Sequence, residues 1–383
     1  MNARSRNGVL NALSSTHISV YQNRCMTVRN RNVACARCAE ACTSGCIHFE
    51  DGRLQIAQDL CIGCGTCATA CPTCALEAHC PNDAELLSRC DEALRLGDGA
   101  VGISCSEFLT SKPATATKPL VEVTCLSRVG ENTLVELAAR GAQDIVLLHG
   151  ECSRCEHGSC FGVSSEVFES ACVLLAAWGC ATRLHMESEV PECLLAQSPN
   201  PSTGLPGASF VSMRGDAALG RTSPAPHDAT PTACVRVMPD GTLPHFLPER
   251  HERLLDSLAT LGQPIERVIR TRLWGRVSID ASICSSCRLC SVFCPTGALS
   301  RFSDGDGSFG LEHCPGDCVQ CRSCEAVCRH GALTVSDEVL TAELMDGAVE
   351  RIAMKKPEID HNSAESMMQK LQKNCRAVLS DKR

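Results

Sequence analysis

Aromatic residues are scarce in this sequence, making up 3% of its 383 residues. Large rings usually supply much of the apolar surface of a core, so conventional packing is thin here. Metal–thiolate bonds can replace part of a core, because the binding energy of a structural metal site is also folding energy. The 31 cysteines are therefore the first candidates for what holds this chain together.

Signals for export and membrane insertion are also lacking. Residues 1–24 contain arginines but no apolar segment like that of a secretory leader, and the sequence has no uninterrupted run of 18 apolar residues. We therefore expect a cytoplasmic protein without a membrane span. In that compartment thiols stay reduced, which favours metal ligation over disulfide formation.

Nucleic-acid and nucleotide binding have little support. The formal net charge of −8 argues against a nucleic-acid-binding protein, which usually presents a basic face. No G-x-G-x-x-G motif follows a strand pattern, and no Walker A motif occurs.

Three segments carry cysteines at the spacing C-x2-C-x2-C-x3-C, which is that of bacterial ferredoxins. Their cysteines are Cys61, Cys64, Cys67 and Cys71; Cys284, Cys287, Cys290 and Cys294; and Cys318, Cys321, Cys324 and Cys328. Three thiolates, with two residues between successive cysteines, wrap a loop around one [4Fe–4S] cubane, and the fourth points to a second cubane. Zinc ribbons use two well-separated C-x2-C pairs, so cubanes are favoured over zinc and over disulfides.

A fourth segment is irregular. The cysteines that match its last three ligand positions are Cys35, Cys38 and Cys42. Asn32 stands where the first cysteine belongs. We predict that Cys25 supplies the missing thiolate, because the residues between it and Cys35 can loop back to a cubane. Cys46 is the other candidate, and a buried Cys25 beside an incomplete ligand set is the remaining alternative.

Paired motifs exchange their fourth ligands, so the sequence predicts four [4Fe–4S] clusters. In the N-terminal half, the predicted ligands are Cys25, Cys35, Cys38 and Cys71 for one cluster and Cys42, Cys61, Cys64 and Cys67 for the other. In the C-terminal half, they are Cys284, Cys287, Cys290 and Cys328 for one cluster and Cys294, Cys318, Cys321 and Cys324 for the other.

The expected fold has α+β and α/β parts, with two bacterial-ferredoxin-like dicluster modules flanking a central parallel-sheet α/β domain. The predicted divisions are an N-terminal tail (1–24), a dicluster module (25–97), the α/β domain (98–195), a linker rich in Pro and Ser (196–232), a helical lead-in (233–275), a second dicluster module (276–340) and a helical tail (341–383). Short strands are predicted after the fourth cysteines, at 47–50, 75–77, 298–302 and 332–335. Within the lead-in, leucine spacing before Gly262 predicts a helix over 249–261.

Alternating patterns in the central region predict a parallel sheet. The expected strands and helices are strands 100–104, 120–124, 144–148 and 182–186 and helices 132–140 and 164–178. Cysteines at or after the strand ends are Cys105, Cys125, Cys152, Cys155 and Cys160. Parallel strands gather side chains at their carboxyl edge, so these thiols are predicted to form one metal site.

The sequence allows several occupants of that central site. A further cluster is favoured, while zinc and metal-free thiols are alternatives, and the C-x2-C of Cys152 and Cys155 also permits a thioredoxin-like redox pair. His149 or His157 could replace a thiolate, as in Rieske-type centres.

Two family resemblances accompany these motifs. The stretch formed by Cys125-Leu126-Ser127-Arg128, Gly141-Ala142, 144–150 and 152–160 resembles the small iron–sulfur (delta) subunit of methyl-viologen-reducing hydrogenases. That resemblance implies a [2Fe–2S] cluster and electron transfer between a hydrogenase and a partner reductase. The overall layout, with Leu273-Trp274-Gly275 and Ile279-Asp280 ahead of Cys284, is similar to the multi-cluster ferredoxins encoded beside molybdenum formate dehydrogenases.

The sequence therefore predicts an electron carrier that relays single electrons to or from a partner oxidoreductase, such as a formate dehydrogenase or a hydrogenase-like subunit. No catalytic residue is assigned. The alternatives are a thiol/disulfide enzyme at the central cysteines and a maturation factor for a molybdoenzyme. Cys46 and Cys74 are expected to be small buried residues near clusters, with a redox or alternative-ligand role as the other interpretation. Cys314 could replace a ligand beside Cys318, but the complete motif does not need it.

Overall fold

The computed structural model describes residues 17–112, 118–195 and 243–355. The predicted linker (196–232) and most of the predicted N-terminal and C-terminal tails lie outside these ranges.

The first module begins upstream of its predicted start. Its strands and helices are β1 (Ile18–Val20), α1 (Met26–Arg29), α2 (Arg37–Glu40), β2 (Ile47–Glu50), β3 (Arg53–Ile56), α3 (Thr66–Ala70) and β4 (Leu76–Ala78). Strand β1 pairs antiparallel with β4, and β2 forms a hairpin with β3. The predicted boundary at residue 25 is wrong, because β1 precedes it and its Ile18 is buried in the core of this module.

The central domain is a parallel sheet, as predicted. Its elements are α4 (Asp83–Leu96), β5 (Ala100–Cys105), α5 (Ser106–Ser111), β6 (Leu120–Val123), α6 (Glu131–Ala139), β7 (Asp144–Leu148), α7 (Phe161–Ala177) and β8 (Arg183–Glu187). The strand order is β6-β5-β7-β8, and all three pairings are parallel. Helix α4 begins with a capping box in which Asn82 and Glu85 satisfy each other's backbone N–H groups.

The remaining elements run from the lead-in to the second module. They are α8 (Glu249–Leu261), β9 (Val268–Arg270), β10 (Arg276–Ile279), α9 (Leu289–Phe293), β11 (Leu299–Ser303), β12 (Phe309–His313), α10 (Ser323–Val327), β13 (Leu333–Ser336), β14 (Glu338–Leu340), α11 (Thr341–Met345) and β15 (Glu350–Ala353). The helix predicted over 249–261 is confirmed. Strands β10 and β13 pair antiparallel, and β11 and β12 form a hairpin, which repeats the plan of the first module.

The prediction of a helical tail from residue 341 is wrong after α11. Residues 350–353 form β15, which pairs antiparallel with β12 and adds a third strand to the hairpin. The predicted lead-in likewise contains a strand, β9, which pairs with β14. Both additions extend the second module beyond its predicted limits.

The largest hydrophobic core belongs to the central domain, and α8 closes it. Leu254 and Leu258 of α8 and Trp274 are buried in the same cluster as the strands of the parallel sheet. Arg272 donates two hydrogen bonds to the carboxylate of Glu131, at 2.6 and 2.9 Å, and so fixes the segment before β10 to α6. The lead-in therefore packs on the α/β domain.

One helical stretch of the described residues, Gly158–Ala177, is long and apolar enough to cross a membrane, with a mean hydropathy of 1.5. Val167, Ala171 and Leu174 on its inner face lie in the core of the parallel sheet. The core helix of a globular domain has the same length and composition, so this stretch is weak evidence for a membrane span.

Candidate iron–sulfur centres

The ligand loops of the three complete motifs share an unusual backbone. The residues between their first three cysteines that have positive φ are Gly63, Gly65, Ser286, Arg288, Gln320 and Arg322. This left-handed conformation turns the loop so that successive cysteines face the same side. It costs a residue with a side chain roughly 1–2 kcal/mol, and such outliers concentrate at functional sites.

Four thiols of the first module line one small cavity. They are Cys25, Cys35, Cys38 and Cys71. Burial raises the pKa of Cys25 to about 11 and that of Cys38 to about 12, and the nearby charge of Cys71 adds to both increases. A metal cluster would compensate this penalty, since ligating sulfurs must be deprotonated.

Hydrogen bonds between Thr27 and the Cys35 backbone hold the turn of Cys25 next to Cys35. The Thr27 hydroxyl donates to the backbone carbonyl of Cys35 at 3.1 Å and accepts from its N–H at 3.2 Å. None of the described residues between Asn32 and Cys38 has a positive φ, so this loop does not wind as the complete motifs do. The backbone thus departs from the motif in the same place as the sequence, and the structure places Cys25 with Cys35.

The second thiol set of the first module has five members. They are Cys42, Cys46, Cys61, Cys64 and Cys67. Burial raises the pKa of Cys67, and the charges of Cys64, Cys38, Cys42 and Cys61 add to it. The Cys42 and Cys46 sulfurs are 3.4 Å apart, and Cys46 also hydrogen-bonds Cys61. The proximity of Cys38 to Cys67 brings the two thiol sets of this module side by side.

The second module has a corresponding pair of thiol sets. One small cavity is lined by Cys284, Cys287, Cys290 and Cys328. Burial raises the pKa of Cys290 to about 12, with the charges of Cys287, Cys284 and Cys328 adding to it.

The other set of the second module contains Cys294, Cys318, Cys321 and Cys324. Burial raises the pKa of Cys324, and the charges of Cys321, Cys318, Cys294 and Cys290 add to it. Cys290 belongs to the first set of this module, so these two sets also adjoin.

Gly275 approaches the last set closely. Its N–H donates a hydrogen bond to the Cys318 sulfur, and a Cβ at this position would lie 3.4 Å from that sulfur and 2.7 Å from Val335. Hydrogen bonds to ligand sulfurs tune cluster potentials. Cys314 is near enough to Cys318 for its charge to raise the pKa of that thiol, whose main cause of elevation is burial.

Two arginines of the first module lie against this set. Buried Arg29 donates to the carbonyl of Pro244 at 2.7 Å and to that of Cys294 at 3.3 Å. Burial lowers the pKa of Arg29, while the negative sulfurs of Cys294 and Cys321 raise it. Arg37 lines the cavity of Cys25 and also lowers the pKa of Cys321, against the larger effect of burial. The modules therefore meet where a thiol set of each one lies.

The central thiols are only partly brought together as predicted. Cys105, Cys125, Cys152 and Cys155 line one cavity, with His149 and His157 also in its wall. Two backbone N–H groups, of Phe108 and Gly150, donate to the Cys105 sulfur at 3.4 Å.

Cys160 is not in the lining of that cavity. It stands between the central cavity and the first module, where it hydrogen-bonds both Cys125 and Cys64. The Thr66 hydroxyl donates to its sulfur at 3.2 Å and also contacts the Ser127 hydroxyl. Of the five thiols predicted to share one site, Cys160 therefore touches the central set only through Cys125, and α7 begins immediately after it.

The segment Cys125 to Arg128 forms this junction. Arg128 is buried against Gly65, where a Cβ would meet its Cδ at 2.3 Å, and it donates to the carbonyl of Pro81 at 2.8 Å. The roles of Arg128, Arg29 and Arg37 have no local signal in the sequence, because each depends on contacts between distant segments.

A separate group of possible metal ligands lies at the beginning of β7, at the opposite end of that strand from the central cavity. Ligand atoms of Asp144, His185 and Cys193 are within 4.8 Å of one another. Arg183 donates to both Asp144 carboxylate oxygens at 2.7 Å, and His185 is 3.0 Å from one of them. These hydrogen bonds lower the pKa of Asp144, with Arg183 as the largest cause. The group is an ion-pair cluster that ties β7 to β8.

Comparison with known proteins agrees with the thiol geometry. A 4Fe–4S dicluster domain matches residues 283–332, and a 4Fe–4S binding domain matches residues 54–76. The chain is 45% identical over 42 residues to the electron transport protein HydN of Escherichia coli, a match covering 11% of this chain and 24% of HydN. It is 42% identical over 41 residues to a protein named Ferredoxin 7Fe of Hydrogenibacillus schlegelii, covering 11% of this chain and 53% of the relative.

An uncharacterized ferredoxin of Methanocaldococcus jannaschii is similar to the same extent, at 45% identity over 42 residues, 11% of this chain and 25% of the relative. The chain thus spans about a quarter to a half of the length of these relatives. No solved structure matches the chain. The matches establish an iron–sulfur protein with ferredoxin-type [4Fe–4S] domains and electron-transport relatives, and they do not favour a thiol/disulfide enzyme.

Proposed function

We propose that this chain relays single electrons through four [4Fe–4S] clusters and a further centre in the α/β domain. When bound, a [4Fe–4S] cluster takes up and releases one electron at a potential tuned by its surroundings. The proposed ligand sets are Cys25, Cys35, Cys38 and Cys71; Cys42, Cys61, Cys64 and Cys67; Cys284, Cys287, Cys290 and Cys328; and Cys294, Cys318, Cys321 and Cys324.

The observation that carries this proposal is the succession of the thiol sets. Cys290 adjoins Cys324 within the second module, and Cys38 adjoins Cys67 within the first. Arg37 links the modules, since it lies by both Cys321 and the cavity of Cys25. A continuous series of neighbouring sites is what a relay requires and what independent structural metal sites do not need.

The series continues into the central domain through Cys160, which joins Cys64 to Cys125. We propose that Cys105, Cys125, Cys152 and Cys155 hold the further centre, for which the resemblance to the hydrogenase delta subunit implies a [2Fe–2S] cluster. Four thiols around one cavity support a cluster there, and the two histidines in its wall remain alternative ligands.

The proposed partner is an oxidoreductase that exchanges electrons with one end of the series, such as a formate dehydrogenase or a hydrogenase-like subunit. HydN, an electron transport protein, supports the general role. A cytoplasmic location belongs to the same proposal, since a reducing compartment keeps cysteines available as metal ligands.

Anaerobic purification of the full chain tests the proposal. Mössbauer and EPR spectroscopy should find about sixteen iron atoms in four cubanes, and reduced protein should show magnetic interaction between neighbouring clusters. The variant Cys160→Ser should keep the cubanes and weaken the interaction between the central centre and the first module, whereas Cys172→Ser, on the outer part of α7, should not. Zinc in place of iron, or two cubanes only, would contradict the relay.

A further inference from the structure

A fifth thiol accompanies the ligand set of Cys42, Cys61, Cys64 and Cys67. Cys46 is 4% exposed, its sulfur is 3.4 Å from that of Cys42, and it hydrogen-bonds Cys61. It is therefore in contact with two of the four thiols that the proposed function assigns to one cubane.

The internal symmetry of the modules makes this thiol exceptional. The residue four positions after each fourth cysteine is buried, and these residues are Cys46, Ala75, Ala298 and Ala332. Ala75 and Ala332 donate their N–H to the sulfurs of Cys71 and Cys328, both at 3.3 Å. At Cys46, Ala75 and Ala332 this position lies against the fourth ligand, and only at Cys46 does it present a second sulfur.

The two sulfurs are close enough for either one to reach the same metal. With metal–sulfur bonds of about 2.3 Å, two thiolates on one tetrahedral metal are roughly 3.8 Å apart. Sulfurs 3.4 Å apart can thus reach the same iron with a small adjustment. They compete for one coordination position, because each corner of a cubane takes one thiolate.

We propose that Cys46 is a reserve ligand that exchanges with Cys42 at one iron of this cubane. This inference rests on the proposed function, which places a cubane at this thiol set. In the exchange, the bond from iron to the Cys42 sulfur breaks and a bond to the Cys46 sulfur forms. The thiol proton of Cys46 passes to the released Cys42 thiolate across their contact, so charge and electrons balance without another reactant.

A reserve ligand has a direct consequence for variants of the full chain. Cys42→Ala should retain the iron content of the unchanged protein, because Cys46 takes the vacant position. The double variant Cys42→Ala/Cys46→Ala should lose one cluster, about four of the sixteen iron atoms. The matched control is Cys328→Ala, which should lose one cluster by itself because Gly331 and Ala332 offer no replacement thiol.

Iron and acid-labile sulfide analysis with EPR gives the readout. Loss of a cluster in Cys42→Ala to the same extent as in the double variant would overturn the proposal. A deficit of cubanes in the unchanged protein would instead contradict the proposed function, so the two failures are distinguishable.

A second measurement applies if Cys42→Ala does not fold. Cys46→Ala should contain all four cubanes but release iron to a chelator several-fold faster than the unchanged protein, because an opened iron–Cys42 bond is no longer replaced. Cys74→Ala, another buried thiol of the same module, is the control and should release iron at the normal rate. Equal rates in all three proteins would count against a reserve ligand.

Discussion

The two dicluster modules have the same pairs of strands but differ in how their ligand loops are built. In the second module, both ligand loops pass through left-handed residues. Each thiol set there combines three cysteines of one motif with the fourth cysteine of the other. In the first module, only the loop of Cys61 to Cys67 winds in this way, and Cys25 reaches its set through the Thr27–Cys35 hydrogen bonds. Thiols can thus be brought together either by a loop with left-handed residues or by hydrogen bonds between two neighbouring turns of the chain.

A second difference lies between both modules and the central domain. The buried clusters of the modules contain many cysteines among few residues, whereas the central cluster consists mainly of aliphatic side chains. The energy of metal binding should therefore matter most for the modules.

Removal of iron should have the largest effect and separate the two kinds of domain. We expect anaerobic chelation to unfold both modules while the parallel sheet of β5 to β8 stays folded, because its core needs no metal. Hydrogen exchange followed by mass spectrometry measures this region by region. Native-like protection of residues 284–328 after complete iron loss would show that the second module folds without metal.

Cys25→Ser should remove or convert one cluster of the first module and leave the second module intact. The serine hydroxyl is a weaker ligand than a thiolate. The turn that contains Cys25 has no second cysteine that could replace it in the cavity shared with Cys35. EPR signals and iron content measure the loss. The control Cys46→Ala should keep all four clusters; the hypothesis about Cys25 fails if the two variants behave in the opposite way.

Much of this architecture follows from local patterns in the sequence. The parallel sheet, the helix at 249–261 and the strands after the fourth cysteines have short-range signals, namely alternation, leucine spacing and turns. Strands β1 and β15 have no such short-range signal, because each consists of only three or four residues and pairs with a strand that is distant in sequence. The contacts of Arg29 and Cys160 were beyond local patterns for the same reason, as each joins two domains.

Arg29→Gln should lower the reduction potential of the cluster proposed at Cys294, Cys318, Cys321 and Cys324. The buried guanidinium lies by Cys294 and Cys321, and a positive charge favours the more negative, reduced state. Redox titration followed by EPR measures the shift, which should be confined to one cluster. Arg31→Gln removes an exposed arginine two residues away and should leave the potentials unchanged; equal shifts in both variants would point to a general effect of charge.

His313→Ile should stabilise the second module by making it resemble the first. His313 faces Leu299 in the hairpin, as Ile56 faces Ile47, and both His313 ring nitrogens are buried without a hydrogen-bond partner in the described part of the chain. Replacing a buried polar group that lacks a hydrogen-bond partner increases the free energy of unfolding by about 1–3 kcal/mol. Anaerobic denaturant unfolding at pH 7 measures the gain.

The same variant should change the pH dependence of stability. Burial lowers the pKa of His313 to about 4, with the charge of Arg276 adding to it. Because this folded-state pKa lies below the unfolded value of about 6.5, the unfolded chain binds the proton first as pH falls, and stability decreases from about pH 6.5 to about 4. His313→Ile should flatten that decrease, and His330→Gln at an exposed site should not; an unaltered slope would exclude His313 as its source.

The smallest expected effect concerns the turn after a fourth cysteine. Four residues occupy this turn with positive φ, namely Gly45, Cys74, Gly297 and Gly331, and Cys74 is the one with a side chain. A left-handed residue other than glycine costs roughly 1–2 kcal/mol, part of which the burial of the Cys74 sulfur offsets. Cys74→Gly should therefore stabilise the first module by at most about 1 kcal/mol, after the greater entropy of glycine in the unfolded chain is subtracted.

The reciprocal change, Gly297→Ala, should destabilise the second module, because its Cβ would also lie 3.2 Å from the His245 ring. Anaerobic unfolding of both variants measures the pair, and a destabilised Cys74→Gly protein would mean that packing of the thiol outweighs the strain of its backbone.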